Sequence, residues 1–299
     1  MILITGASGA MGSVLARKLH EKGEKIRACV MPGDPFVSRI ENICYDIRYA
    51  DISRNSDVAG ICNGIKTVYH LAAVIISKDD SIFERVNVNG TRNLMEEASS
   101  ANVGHFIYIS SASVVYPFPT PYSLSKRKAE EIVNNSPVKY TIIRPTLVYG
   151  KIGGQEFDMY LSYLKKFPIV PFIGSGKALK SPVFVEDIIW GLIALNNKEK
   201  IYGKVNNFCG DEQLSMLDFS RLCLKLLGIP GKPIVFLPVW LCKFIAVIME
   251  MFMKNPPLKW QVIAGIIQDA NLNPDSAKKE LGYNPAKVSE RLPGCFPRL

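Results

Sequence analysis

The first twelve residues constrain this chain more than any other stretch. Met1 to Ile4 is short and apolar, as a parallel strand buried on both faces would be. Gly6, Gly9 and Gly12 follow at three-residue spacing. An amphipathic run opens behind them, with Met11, Val14, Leu15 and Leu19 on one helical face and Arg17, Lys18 and Glu21 off it. Strand, glycine turn and helix in that order is the context a dinucleotide-binding turn requires. Gly6 lets the chain turn off the strand, Gly9 lets the backbone approach a pyrophosphate, and Gly12 lets the helix pack closely on the sheet. The first helical turn, with Ser8, Ala10 and Met11, then presents N–H groups to the phosphates.

The Gly-x-x-Gly-x-x-Gly spacing resembles the short-chain dehydrogenase/reductase superfamily. At 299 residues the chain is long enough for one doubly wound α/β sheet and a smaller lobe. Its charge, 36 Lys and Arg against 27 Asp and Glu, is scattered in small groups. That fits anionic ligands, an anionic membrane surface or a plain solvated surface, and the absence of a long basic run excludes a nucleic-acid tail. Seven cysteines, none in Cys-x-x-Cys, read as reduced thiols of a cytoplasmic protein. The three histidines lack metal-ligand spacing, so no metal site is expected. No signal peptide precedes the first strand, and the fold is expected to begin at Met1.

Lys25 to Val30 reads as a second strand, ending in Met31-Pro32-Gly33-Asp34. An acidic residue here would hold an adenosine ribose, and an arginine a 2′-phosphate. Met31 is neither and Asp34 lies three residues on, so NAD is the expected cofactor with NADP the alternative. Asp46 to Ile52 is a third strand, whose Asp51-Ile52 resembles the superfamily's adenine-holding pair. A fourth strand, Val68 to Ala73, ends in Leu71-Ala72-Ala73, small enough for a cofactor to lie across. Ser81 to Ala101 is helical in period and contains Asn87-Val88-Asn89-Gly90-Thr91, which resembles the Asn-x-x-Gly-Thr of extended members, where the asparagine fixes the helix to a neighbouring strand.

The fifth strand, His105 to Ser113, turns from apolar to hydroxyl-rich at its carboxyl end. Pro121-Tyr122-Ser123-Leu124-Ser125-Lys126 then opens a helix with Tyr122 and Lys126 on one face. An ammonium beside a phenol favours the phenolate and makes it a better acid–base group at neutral pH. A serine hydroxyl can orient a substrate oxygen. A second Tyr-x-x-x-Lys, Tyr283 and Lys287, is broken by Pro285 and is a chance match.

By this order of motifs the chain resembles the extended short-chain dehydrogenases, the NAD-dependent epimerase/dehydratase group. Ser111-Ala112-Ser113-Val114 fits the family's Ser/Thr-x-x-Val. The resemblance therefore implies Ser111 (alternate Ser113), Tyr122 and Lys126 as catalytic. It implies Gly6, Ser8, Gly9, Ala10, Met11, Gly12, Asp34, Asp51, Ile52, Leu71, Ala72, Ala73, Tyr122, Lys126, Pro145 and Thr146 against the cofactor. Arg144-Pro145 resembles the segment whose backbone flanks the nicotinamide, and in Lys180 to Asp187 the resemblance implies that the aspartate caps the following helix. Only ten residues separate Ser111 from Tyr122, about half the family's usual number, which implies a pocket that is more open or closed by other parts.

The expected division is a dinucleotide-binding domain, 1–150 with a return segment 180–206, and a mostly helical substrate lobe, 151–179 and 207–299. Ile234 to Met253 is apolar but interrupted by Pro238, Lys243 and Glu250, which excludes a spanning helix. It reads as packing around a substrate pocket or a partner subunit, such as a homodimer mate, with peripheral membrane contact through 238–254 as the alternative. This stretch, Asn255 to Leu258 and the Leu281-Gly282-Tyr283-Asn284-Pro285 ending look like the 3β-hydroxysteroid dehydrogenase and dihydroflavonol reductase branch, with its last helix cut short. That implies NAD(P)-dependent hydride transfer to or from a hydrophobic, sterol- or flavonoid-like small molecule. The alternatives are a sugar-nucleotide epimerase or dehydratase and a non-catalytic nucleotide-binding subunit.

Overall fold

The computed structural model describes residues 1–151, 155–196, 198–253, 258–270 and 272–296. Seven strands form one parallel sheet: β1 (Ile2–Thr5), β2 (Ile26–Val30), β3 (Asp46–Tyr49), β4 (Thr67–His70), β5 (His105–Ile109), β6 (Tyr140–Pro145) and β7 (Lys204–Phe208), in the order β7-β6-β5-β4-β1-β2-β3. Central β1 lies between β2 and β4, with Thr5 level with Cys29 on one side and His70 on the other. The chain runs outward from β1 to β3, then returns to the other side of β1. The crevice at the carboxyl ends of β1 and β4 is therefore the switch point at which doubly wound sheets bind ligands.

The central strands are apolar on both faces because both faces are covered. Ile2, Ile4 and Tyr69 pack on one side with Leu15, Ile188 and Leu192 from the helices Ala10–Glu21 and Val185–Ala194. Leu3, Val68 and Phe106 pack on the other with Leu94 and Val133 from Gly90–Ser100 and Pro121–Asn134. The remaining helices, among them Gln155–Lys166, Met216–Leu226, Val239–Phe252 and Trp260–Ile267, lie beside a two-stranded parallel pair, Val170–Ile173 with Ile234–Leu237.

Three strands stop earlier than their apolar runs, each for a local reason. β3 ends at Tyr49, and Asp51 closes a turn by accepting from the backbone N–H and hydroxyl of Ser53 at 3.0 and 2.7 Å. β4 ends at His70, and the Ala72 N–H turns to Thr5 Oγ1 at 3.2 Å. β5 ends at Ile109 because Ser111 caps a 3₁₀ turn, Ala112–Val115, accepting from the Ser113 N–H at 3.1 Å. The serines thus lie beyond the strand, not on its tip. β7 runs past 206 to Phe208, so the sheet ends slightly later than the expected return segment.

Candidate active site

The turn after β1 is shaped by its glycines. Gly6 has φ +66°, and a Cβ there would lie 2.9 Å from the Ala72 backbone. A Cβ on Gly12 would lie 2.1 Å from the Gly6 carbonyl oxygen, so the helix can approach the turn only without one. Gly9 is the N-cap of Ala10–Glu21 and offers no side-chain cap, which leaves first-turn N–H groups for an anion. Leu71, Ala72 and Ala73 cross directly beneath, and Leu71 N–H donates to Thr5 O at 3.2 Å. Asp34 does reach this turn. Its carboxylate accepts from the Ser8 hydroxyl and from the Phe36 N–H at 2.8 Å. Arg39, stacked on Phe36 with 4.1 Å to the ring centroid, donates to the Ser8 carbonyl at 3.2 Å. Asp51 stays engaged in its own turn, and Ile52 is buried against Gly90, where a Cβ would lie 2.8 Å from the Ile52 side chain.

The Pro121–Asn134 helix begins in a capping box: Thr120 accepts from Ser123 N–H, and Ser123 returns a bond to Thr120 N–H. Pro121 occupies its first turn. This fixes Tyr122 and, one turn on, Lys126. Lys126 is 2 % exposed, donates to the Ile109 carbonyl at 2.6 Å and lies 4.2 Å from the centroid of the Tyr108 ring. Burial pulls its ammonium down to about 7, and Glu130, one turn further along, pulls the other way but does not win. Glu130 is itself clamped in a bidentate pair with Arg144 of β6, at 2.9 and 2.6 Å. Tyr122 packs edge-on to Phe83, 6.2 Å between centroids. Ser111 and Ser113 hydroxyls lie 3.0 Å apart at the end of β5, and the buried Ser110 hydroxyl beside them has no partner among the described residues. Pro145 ends β6, and Thr146 donates its hydroxyl to the Ser181 carbonyl.

Ser111, Lys126, the glycine turn, Leu71–Ala73 and Pro145 therefore stand at one carboxyl edge of the sheet. An unpartnered buried hydroxyl and a glycine cradle at the switch point fit a dinucleotide bound there. A model of the NAD dependent epimerase/dehydratase family matches residues 2–207.

The chain belongs to this family. It is an NAD-dependent enzyme of the extended short-chain dehydrogenase/reductase type. Ceramide reductase of Caulobacter vibrioides is 28 % identical over 65 % of this chain, which spans 60 % of that relative. Mouse sterol-4-alpha-carboxylate 3-dehydrogenase, decarboxylating (Mus musculus), is 24 % identical over 94 % of this chain and 86 % of its own length. Among solved structures, the UDP-glucuronic acid 4-epimerase of Bacillus cereus with UDP-glucuronic acid and NAD shares the fold, with TM-score 0.76 and 24 % identity over 97 % of this chain and 96 % of that one.

The short connection from Ser111 to Tyr122 is held by distant parts. Arg127 donates to the Val114 carbonyl and, at 2.8 Å, to that of Tyr116. Gln268, just past Trp260–Ile267, grips Phe118 from both sides, accepting its N–H at 2.7 Å and donating to its carbonyl at 2.9 Å. Buried Lys180 donates to the carbonyls of Gly265, at 2.8 Å, and Gln268. The connection is thus anchored by residues outside it. Gln268 stands 150 residues from its partner, beyond any local pattern. Glu130 had a signal, the same helical face as Tyr122 and Lys126.

Asn87 fixes its helix to the segment after β4, exchanging two bonds with the Val74 backbone at 2.8 and 2.9 Å, and to Ser125 at 2.9 Å. Asp187 does not cap its helix. It sits inside the first turn and accepts from the Ala286 N–H at 3.0 Å, tying down the C-terminal segment. Tyr283 is buried, stacks on Phe208 at 4.6 Å and donates to the Cys209 carbonyl, a structural role; both Tyr283 and Lys287 lie beyond the end of the helix Asp275–Leu281. His70 is buried between Thr5 and Thr91 hydroxyls at 2.7 and 3.0 Å and held neutral by burial, its pKa about 3. All seven cysteines are free, and no metal-binding group of side chains occurs among the described residues. Only one face of Val239–Phe252 packs, through Cys242 and Ala246 against Ile173 and Ile263. Among the described residues no helix is long and apolar enough to cross a membrane. Lys254 to Pro257, also part of that stretch, lie outside the described residues.

Proposed function

We propose that the chain transfers hydride between NAD and the carbinol or ketone carbon of a hydrophobic, sterol- or flavonoid-like substrate. The observation that carries this reading is Lys126, buried under the end of β5, one helical turn from Tyr122 and close behind the Ser111 segment. Bound nicotinamide would supply the hydride donor or acceptor. Gly6, Ser8, Gly9, Ala10, Met11 and Gly12 would hold its pyrophosphate; Asp34, with Asp51 and Ile52 further along the edge, the adenosine end; Leu71 to Ala73, Pro145 and Thr146 the floor and flank. Asp34 is acidic and joined to the glycine turn, which favours NAD over NADP.

In this reading Tyr122 gives or takes the proton at the substrate oxygen. Lys126 stabilises its phenolate and holds ribose hydroxyls, and Ser111 orients the oxygen. The Lys126 ammonium can serve in this way because Ile109 O and the Tyr108 ring face it while Glu130 is pinned by Arg144. The substrate lobe is 151–179 with the residues beyond β7. The names of the ceramide and sterol relatives support an apolar substrate. The test is a substrate panel followed at the nicotinamide absorbance. Net turnover of apolar ketones or alcohols is expected. Interconversion of a sugar nucleotide with no net hydride released would replace this reading with the epimerase one.

A further inference from the structure

The outward face of the Val239–Phe252 helix is uncovered. Trp240, Phe244, Val247 and Met251 are spaced four, three and four, hence on one stripe, and are 70, 61, 57 and 73 % exposed. Phe252 at the end of the helix and Phe236 on the preceding strand widen the patch, at 79 and 48 %. An apolar face this continuous marks an interaction site rather than ordinary surface.

Charge identifies the partner. Between Phe219 and Gln268 the described residues include five basic ones, Arg221, Lys225, Lys232, Lys243 and Lys259, against one acidic residue, Glu250. Lys243 borders the stripe, its ammonium 4.5 Å from the centroid of the Trp260 ring. Lys232 donates to the Leu164 and Lys165 carbonyls at 2.6 and 2.9 Å, which brings exposed Lys165 and Lys166 to the head of the Ile234–Leu237 strand. A second copy of this chain would set this basic surround against its own like, because a two-fold contact uses the same patch twice. An anionic lipid surface meets both features, taking up the apolar stripe and neutralising the surround. A helix of 14 residues is too short to span, so it would lie in the plane of the interface.

We propose that this face seats the enzyme on an anionic lipid bilayer. The seat is joined to the active site. Val239–Phe252 packs on Trp260–Ile267, and Gln268 at the end of that helix holds Phe118 in the loop after Ser111. Delivery of a hydrophobic substrate from the bilayer rests on the function proposed above; attachment to the bilayer does not.

The experiment is flotation of the full chain with two kinds of vesicle, phosphatidylcholine alone and phosphatidylcholine with about three-tenths phosphatidylglycerol. Wild type should float with the anionic vesicles and be released as salt approaches about 1 M, where the screening length is about 3 Å. Trp240→Ser with Phe244→Ser should lower the bound fraction at least about tenfold, with the melting temperature unchanged. No flotation of wild type, or equal flotation of the double variant, would overturn the proposal. So would a wild-type dimer that the double variant converts to monomer, which would make the partner a second copy. Flotation without hydride transfer to any apolar substrate would uphold the lipid seat and remove the substrate reading; transfer without flotation would do the reverse.

Discussion

The carboxyl edge of the sheet and the face of the Val239–Phe252 helix are both rich in apolar residues, yet they are built on opposite terms. At the sheet edge most of the polar groups described are tied to a neighbour within the chain. Ala72 N–H goes to Thr5, Lys126 to Ile109, and Glu130 to Arg144. On the helix face Trp240 and Met251 project from a layer whose buried side is small, Cys242 and Ala246. A site that positions reacting atoms needs fixed partners within the chain. A surface that meets an external phase needs its apolar side chains uncommitted. The difference separates the chemistry from the means of reaching substrate, and substitutions in the two regions should have separable effects.

The largest expected effect on the sheet side is at Gly12. Gly12→Ala puts a methyl 2.1 Å from a backbone oxygen that cannot swing away. It should cost about 3 kcal/mol of stability by overpacking and abolish NAD binding. Chemical denaturation and calorimetric titration read the two. Full NAD affinity in this variant would mean that the turn is not the phosphate cradle.

Lys126 comes next. Its pKa of about 7 in the free protein follows from burial, whereas an unfolded lysine keeps its proton to about 10.4. Between these values the unfolded state binds more protons, so this group makes stability rise with pH, and Lys126→Met should flatten that slope. NAD affinity should fall in wild type as pH rises through about 7, because the ammonium that holds the ribose is lost. In Lys126→Met it should be weaker by about tenfold or more and independent of pH there, since a hydrogen bond to a charged group is worth about 1.5–3 kcal/mol. Unchanged affinity and pH dependence would leave Lys126 a packing residue.

Gln268→Ala probes the seam between the two regions and should do least. It removes both bonds to Phe118, at about 1 kcal/mol each. The melting temperature should drop, and KM for a bulky apolar substrate should rise several-fold with kcat and NAD affinity nearly constant. A fall in kcat instead would place Gln268 in the chemistry.

The two regions also differ in how much of them could be read from sequence. The glycine turn, the Tyr122 helix and the succession of strands along the chain follow from local rules: a glycine where the chain turns off β1, a proline in the first turn of the helix, apolar runs separated by turn residues. Strand ends were overrun where a side chain captured the backbone, as Ser111 does for the Ser113 N–H. The long-range ties were not legible. Gln268 with Phe118, Lys180 with Gly265, and Asp187 with Ala286 join residues far apart in the chain, and a single sequence carries no pattern for such pairs. Asp187 at the head of a helix has the form of a cap, yet its carboxylate is taken by a segment 99 residues away. The apolar helix after Pro238 was legible as a helix, but which of its faces is covered depends on Ile173 and Ile263, set by the tertiary fold.

The central claim is that Tyr122, and not another tyrosine of the same spacing pattern, moves the proton. It is tested most directly by comparing hydride transfer in Tyr122→Phe and Tyr283→Phe. Each change removes one phenolic oxygen and leaves the ring packed, against Phe83 in one case and Phe208 in the other. Tyr122→Phe should lose about 10²–10⁴-fold in turnover with NAD binding intact. Tyr283→Phe should lose only its bond to the Cys209 carbonyl, about 1 kcal/mol of stability, and keep wild-type turnover. Full activity in Tyr122→Phe, or its loss in Tyr283→Phe while the protein stays folded, would contradict the account.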